Sequence, residues 1–291
     1  MSGCVATIGF FDGVHKGHRF VIGSVAAEAR RRSMCAVVLT FDLRPRDVVA
    51  GTTPPAVLTS LEDKRRLIVE AGADRCEVLH FDRELASLSA REFMGEVLRD
   101  RFGVRVLLLG YDNRFGRRRE EGFEDYVAYG RELGIEVVRL QQLGDVSSSA
   151  IRQALSDGDM SRANDLLGRR YCLTGTVVHG FGEGRKLHFP TANLSPESIV
   201  QQLPGRGVYE VELAIGPSRY AGMMNIGLRP TYGGSDLSVE IHLLDFSGDL
   251  YGREVSVEVV RRIREERRFE STEELRRQLE QDRDGIERLK H

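Results

Sequence analysis

The chain of 291 residues contains no tryptophan, only four cysteines and eight prolines, and no apolar run near the length of a bilayer span. Its longest apolar runs, such as residues 106–109, fall far short of the roughly 20 residues a membrane helix requires, so neither a transmembrane segment nor a membrane partner is expected. The cysteines, Cys4, Cys35, Cys76 and Cys172, form no C-x-x-C pair; no zinc site or disulfide framework is indicated, and all four read as small buried apolar residues. A dominant charge is missing too, since 42 Lys and Arg stand against 44 Asp and Glu for a net charge of -2. With no tryptophan and no aromatic-basic stripe, a nucleic-acid partner is not expected either. A glycine-rich turn begins at Gly9, too early for a secretory signal, so a cytoplasmic protein is expected. These patterns do not specify an oligomeric state.

What is present reads as a two-part globular chain. Hydrophobic residues make up 41% and charged residues 30%, ordinary for a soluble protein, and the length suits two domains of roughly 100–200 residues each. The first part alternates apolar strand patterns (residues 4–10, 35–41, 76–81, 104–109 and 135–140) with helical periodicity (18–32, 58–71, 89–102 and 123–133). Strands apolar on both faces and alternating with helices imply a parallel sheet with right-handed crossovers, an open doubly wound α/β domain. Short helices are expected at 149–155 and 161–167. Past Gly168 the pattern changes to strand-like stretches at 173–179, 207–215, 220–226, 238–246 and 255–262, broken by glycine and proline. An amphipathic helix over 272–289 follows, opened by a capping box from Ser271 to Glu274. Several antiparallel strands close together suggest a small β-barrel with a C-terminal helix. The expected division is therefore 1–168, α/β, and 169–291, β.

Residues 9–18, Gly-Phe-Phe-Asp-Gly-Val-His-Lys-Gly-His, fall where the first strand hands over to the first helix. Ligands of parallel α/β sheets bind at the carboxyl ends of the strands, and a helix start offers unpaired N–H groups and a positive dipole end to phosphate. His15 and His18 are three apart and share a helical face. Two imidazoles aimed at one phosphate can donate hydrogen bonds to charge that develops in a transition state. Gly13 and Gly17 let a nucleotide approach the backbone, and Gly9, Phe10 and Asp12 complete the turn. The bland alternative is a strand-turn-helix corner with incidental histidines. Against it stands residues 146–152, Val-Ser-Ser-Ser-Ala-Ile-Arg. There Ser147, Ser148 and Ser149 offer hydroxyls at another helix start and Arg152 can clamp phosphate oxygens, although a serine run alone is usually a cap. The glycine-bounded loop 110–116, with Asp112, lies between the two. Together they suit a polyphosphate, and the first segment is expected to be the nucleotide site of a nucleotidyl-transferring enzyme.

In the second part, residues 180–194 read Gly-Phe-Gly-Glu-Gly-Arg-Lys-Leu-His-Phe-Pro-Thr-Ala-Asn-Leu. Gly182 and Gly184 let backbone N–H groups approach phosphates, with Arg185 alongside. Thr191 and Asn193 offer neutral oxygens suited to Mg2+ or a nucleotide phosphate. Glu240 lies on the strand face opposite Val239 and Ile241, where a carboxylate could take a proton from a substrate hydroxyl. Taken singly, these are a hairpin turn and a solvated strand residue.

The order of the first two elements resembles the nucleotidyltransferase superfamily, defined by H-x-G-H and an S-S-x-x-I-R-like element. The full string at 9–18 is similar to the FMN adenylyltransferase module of the bacterial bifunctional riboflavin kinase/FAD synthetases. The second part resembles the riboflavin kinase module of that family: P-T-A-N-L at 190–194, N-I-G-L-R-P-T at 225–231, V-E-I-H-L-L-D-F at 239–246, L-Y-G at 250–252 and the 264–269 segment follow in family order. The resemblance spans nearly the whole chain. It implies that the barrel phosphorylates riboflavin to FMN with Mg-ATP and that the α/β domain adenylates FMN to FAD, releasing pyrophosphate. ATP, riboflavin and FMN would be the small-molecule partners. His15 and His18 would stabilise the α-phosphate transition state, and Ser147, Ser148, Ser149 and Arg152 would hold pyrophosphate. Thr191 and Asn193 would hold Mg2+ and ATP, Glu240 would be general base for the ribityl 5′-hydroxyl, and Asn225, Arg229 and Arg264 would lie near the flavin.

Three departures stand out. The family's T-F-x-P-x-P stretch reads Thr-Phe-Asp-Leu-Arg-Pro at 40–45, keeping only the final proline. Glu183 stands where relatives carry arginine, reversing a charge beside a polyphosphate site. His188 stands where they carry glycine, at a position whose backbone would need positive φ. The last two motivate an alternative: FMN adenylylation only, with the barrel a weak or inactive kinase that serves as a flavin-binding module. A non-enzymatic flavin or nucleotide sensor is disfavoured by the two histidines and Glu240.

Overall fold

The computed structural model describes residues 3–50, 55–111, 113–117, 120–141, 143–180, 184, 187–231 and 234–288. The chain packs as two units, one of residues 1–55 with 61–147, the other of residues 56–60 with 148–291. Helices 148–157 and 160–167 thus pack with the later strands, although the sequence pattern changes only after Gly168.

In the first unit β1 (Cys4–Ile8), α1 (Lys16–Arg32), β2 (Cys35–Phe41), α2 (Pro45–Ala50), α3 (Leu61–Glu70), β3 (Arg75–Leu79), α4 (Arg83–Ser87), a helix from Ala90 to Arg101, β4 (Val104–Leu109), α5 (Phe123–Leu133) and β5 (Glu136–Arg139) follow in order. The sheet is wholly parallel, in the order β3-β2-β1-β4-β5. β1 is buried at every position because both faces of the sheet are covered. Cys4, Ala6 and Ile8 pack with Phe93, Met94 and Leu98 on one side, while Val5 packs with Val25, Ala26 and Ala29 of α1 on the other. The winding reverses between β1 and β4, the position where open α/β sheets take ligands at their carboxyl ends. The helix after Ser89 opens with the expected capping box but widens to π-helical from Phe93 to Arg101. Phe93, Met94, Gly95, Val97 and Leu98 of this stretch are buried.

The second unit contains α6 (Ser148–Asp157), α7 (Met160–Leu167), β6 (Tyr171–Val178), β7 (Ala192–Leu194), β8 (Gly207–Ile215), β9 (Ser218–Thr231), β10 (Gly234–Leu243), β11 (Glu254–Arg264) and a C-terminal helix, Thr272–Glu287. Its strands close into a barrel, β10-β7-β6-β11-β8-β9. Alternate residues fill the interior, among them Leu173, Val211, Met224, Ile226, Val239, Ile241, Val257 and Val259, joined by Ile151, Leu155 and Leu167 of the two helices. Each such side chain contributes roughly 1.5–3 kcal/mol by leaving water. The 56–60 segment is held to this unit by Val57 N donating to Val200 O at 3.0 Å and Gln202 N to Val57 O at 2.8 Å. The C-terminal helix places Ile286 over an outer patch with Val208, Met223 and Leu244.

The architecture matches the α/β-then-barrel expectation. β9 and β10 are longer toward their shared hairpin than the 220–226 and 238–246 patterns suggest, and β10 ends at Leu243. Their ladder runs from Leu243 opposite Gly222 to Gly234 opposite Thr231; polar residues such as Asn225 and Ser235 interrupt the apolar alternation while backbone pairing continues. β7, α2 and α4 are too short for periodicity to reveal. No helix among the described residues is long and apolar enough to cross a membrane.

Candidate active sites

At the end of β1 the chain turns through residues 9–15 into α1. Phe11, Gly13 and Val14 adopt positive φ of 51°, 85° and 39°. Glycine takes such a conformation freely, whereas Phe11 and Val14 each store strain on the order of 1–3 kcal/mol. Packing of both side chains with Ile22, Val38 and Ile68 offsets it. The main chain is also pinned: Ile8 O accepts from Asn113 Nδ2, and Phe10 O from the Thr40 hydroxyl at 3.1 Å and the Lys64 ammonium at 3.2 Å. Buried Asp12 pairs with Arg44 at 3.3 Å.

His15 is the N-cap of α1, its Nδ1 accepting from His18 N at 3.3 Å. A neutral imidazole that accepts through Nδ1 carries its proton on Nε2, a donor for an anion. The two rings stack with centroids 3.6 Å apart at 18°. Burial first, then His15 and the Lys64 charge, hold His18 well below the usual histidine range, so it stays neutral. Its Nδ1 is buried without a hydrogen-bond partner. Gly17 lies against the His15 ring and close to Val146 O. The result is a pair of neutral imidazoles at a helix N-terminus, an arrangement that receives an anion.

Gly9, Phe10, Asp12, Gly13, His15, Gly17 and His18 are thus brought together. Ser147 closes the first unit, while Ser148 and Ser149 open α6 in the second. Arg152 Nη1 donates to Ala56 O at 2.7 Å and to Gln202 Oε1 at 3.0 Å, so this guanidinium also ties the 56–60 segment to its own unit. The sequence reading overlooked Lys64 and Asn113. The 61, 64, 68, 71 spacing, which places a lysine within the apolar stripe of α3, was the available signal for Lys64.

In the barrel, strand register assembles the second site. Asn193 of β7 lies opposite Glu240 of β10, and Glu240 opposite Asn225 of β9; cross-strand neighbours share a face. Val208 and then Arg264 continue the row across β8 and β11. The Glu240 carboxylate accepts from Ser238 Oγ at 2.9 Å and from Thr191 Oγ1 at 3.4 Å. Gly180 abuts the Asn193 amide so closely that a Cβ there would collide with it. Beside Thr191 opens a cleft of about 120 Å³ with Ala192, Ile241, Phe246, Leu250 and Tyr251 in its walls. Arg264 Nε donates to buried Asp282 at 2.9 Å, and Gln278 holds the other carboxylate oxygen at 2.7 Å. His188 has φ 64°, in a turn closed by Leu187 N and Phe189 N donating to Gly184 O. Among the described residues no cluster of three or more His, Cys, Asp or Glu could hold a metal. Thr191 and Asn193 offer instead neutral oxygens of the kind that would suit Mg2+ beside nucleotide phosphates.

The FAD synthetase family pattern matches residues 1–153 and the riboflavin kinase pattern residues 167–289. A bifunctional riboflavin kinase/FMN adenylyltransferase of Escherichia coli strain K12 is 40% identical over 285 residues, spanning 96% of this chain and 90% of that protein. The chain belongs to the bifunctional riboflavin kinase/FMN adenylyltransferase family. Another member, from Bacillus subtilis strain 168, is 35% identical over 289 residues, covering 96% of this chain and 90% of its own. A crystal structure of a Streptococcus pneumoniae protein, named there a macrolide-efflux protein, shares the fold with a TM-score of 0.87 and 31% identity over 97% of this chain and 93% of that one.

Within this riboflavin kinase/FMN adenylyltransferase frame, the stacked histidines lie in the FAD synthetase match and the Asn193–Glu240–Asn225 row in the riboflavin kinase match. Asp112, Gly182, Glu183 and Arg185 lie outside the described residues, as does the side chain of Arg229, whose backbone pairs with Asp236 in the β9–β10 ladder.

Proposed function

We propose that this chain makes FAD from riboflavin in two steps: the barrel phosphorylates riboflavin to FMN with Mg-ATP, and the α/β unit adenylates FMN with release of pyrophosphate. The observation that carries this reading is the presence in one chain of both the His15–His18 stack at the start of α1 and the Asn193–Glu240–Asn225 row in the barrel. The functional boundary is placed near residue 168, and the enzyme is read as cytoplasmic.

In the kinase step Glu240 takes the proton of the ribityl 5′-hydroxyl as its oxygen attacks the γ-phosphorus of ATP, and ADP leaves. Bound Mg2+, held by Thr191 and Asn193, would neutralise charge on the ATP phosphates. The apolar cleft beside Thr191 takes the adenine. Gly182, Gly184 and Arg185 are assigned to the ATP phosphates, and Asn225, Arg229 and Arg264 to the flavin. The Asp282–Gln278 pair keeps the Arg264 guanidinium oriented.

In the adenylylation step a phosphate oxygen of FMN attacks the α-phosphorus of a second ATP, and pyrophosphate leaves. His15 and His18 donate to the oxygens on which charge accumulates. Gly9, Phe10, Asp12, Gly13, Gly17 and Asp112 are assigned to nucleotide binding. Ser147, Ser148 and Ser149, with Arg152 on the same helical face as the last two, receive the leaving pyrophosphate. Positioning and charge stabilisation do the catalysis, without a covalent enzyme intermediate.

The test is to incubate the chain with riboflavin, Mg2+ and ATP and to separate the flavins by chromatography. FMN followed by FAD is expected. Conversion of supplied FMN to FAD with riboflavin left untouched would reduce the barrel to a flavin-binding module.

A further inference from the structure

Lys64 is 3% exposed and belongs to no recognised motif. It projects from α3 to a point between two strand ends. Its Nζ donates to Phe10 O at 3.2 Å, beyond the end of β1, and to Phe41 O at 2.9 Å, the last residue of β2. The same nitrogen lies 4.2 Å from the centroid of the Phe10 ring. A buried ammonium is costly to desolvate, and burial pushes this one down to about 8 despite the opposing pull of Asp12, Cys76 and Asp42. A leucine or methionine would fill the space without that cost, so the cation needs a reason, and the two carbonyls supply it. The 9–15 turn carries His15 at its end. The residues after Phe41 carry Arg44, which returns to Asp12 of the turn and lies 5.4 Å from the Phe10 ring. Lys64 therefore joins, through main-chain atoms, the nucleotide turn itself at Phe10 to the end of β2 at Phe41, and its charge also reaches His18.

We propose that Lys64 is a positioning residue for FMN adenylylation: its ammonium ties Phe10 of the turn to the end of β2 and so fixes the turn that presents His15 and His18. It acts through the turn rather than by touching substrate. Losing the tie displaces the imidazoles from the transition-state oxygens more than it weakens ATP binding.

This inference rests on the adenylylation reading, and one experiment separates the two. Full-length parent, Lys64→Met, Lys64→Gln and Lys64→Arg are assayed for FAD formation from FMN and ATP, with riboflavin phosphorylation on the same preparations as the internal reference. In Lys64→Met and Lys64→Gln, kcat for FAD formation is expected to fall about tenfold or more while KM for ATP stays within about threefold, as misplacement of catalytic groups predicts. Riboflavin phosphorylation should hold within about twofold. Lys64→Arg, which keeps a cation and donors for both carbonyls, should recover part of the lost kcat. If Lys64→Met does not fold, the smaller Lys64→Gln carries the comparison. Parent-like kcat in a folded neutral variant overturns the proposal, as does a rise in KM at unchanged kcat or a parallel loss of both activities. A parent that makes no FAD from FMN refutes the adenylylation reading itself.

Discussion

Glu240→Gln is the sharpest single perturbation of the barrel. The carboxylate accepts from Ser238 Oγ at 2.9 Å and Thr191 Oγ1 at 3.4 Å. Glutamine keeps one oxygen acceptor of the same reach, and its amide N–H can donate to the threonine hydroxyl. The structural cost at this half-buried site is therefore under about 1 kcal/mol. The chemical cost is much larger, because an amide cannot take a proton. Loss of a positioned general base lowers a rate by roughly 10²–10⁴-fold, equivalent to about 2.7–5.4 kcal/mol of barrier. Initial rates of FMN formation from riboflavin and of FAD formation from supplied FMN, measured on one preparation, separate the two costs. The first should fall by at least about 10²-fold and the second by less than about twofold. A kinase rate within about threefold of the parent would show that Glu240 is not the base.

Three further outcomes follow from the geometry. His18→Ala should lower kcat for FAD formation by roughly 10²–10³-fold, as for loss of one oxyanion donor, with riboflavin phosphorylation retained; parent-like FAD formation would remove His18 from the site. Because His18 titrates below its ordinary value of 6.5 when folded, the unfolded chain binds more protons there as pH falls. The stability tied to its neutral form is therefore present above pH 6.5 and lost as pH drops toward the folded value. Denaturant unfolding across that window should show a steeper acid loss in the parent than in His18→Ala, and equal slopes would contradict the assigned burial. His188→Gly relieves a left-handed residue (φ 64°) and should raise unfolding stability by up to about 1 kcal/mol without slowing the kinase; a lower urea midpoint would refute it.

Buried strands and the motif-bearing turns were legible in the sequence, and the residues that hold those turns in place were not. β4, apolar at nearly every position, and β8, alternating along its length, stand at the residues their patterns marked. The His15–His18 relation followed from helical spacing, although His15 proved to be the cap rather than part of the first turn. The His188 backbone also adopts the positive φ expected from the glycine that relatives carry at that position. Lys64 and Asn113 escaped notice because they bind main-chain carbonyls, which every residue carries, so nothing in the partner's identity points back to them. The cross-strand row of Asn193, Glu240 and Asn225 depends on register over a sequence separation that no local pattern encodes. Likewise, the 56–60 segment joins the later unit through backbone bonds and Leu58, with no compositional mark of the exchange.

The most direct test of the central claim supplies riboflavin with ATP carrying distinguishable labels at its α and γ phosphorus and follows both into the flavins. If one chain performs both steps, FMN carries only the γ label, and FAD carries one γ-derived and one α-derived phosphorus, with pyrophosphate released in step with FAD. Absence of label in any flavin, or FAD that forms only when FMN is supplied, would contradict the account.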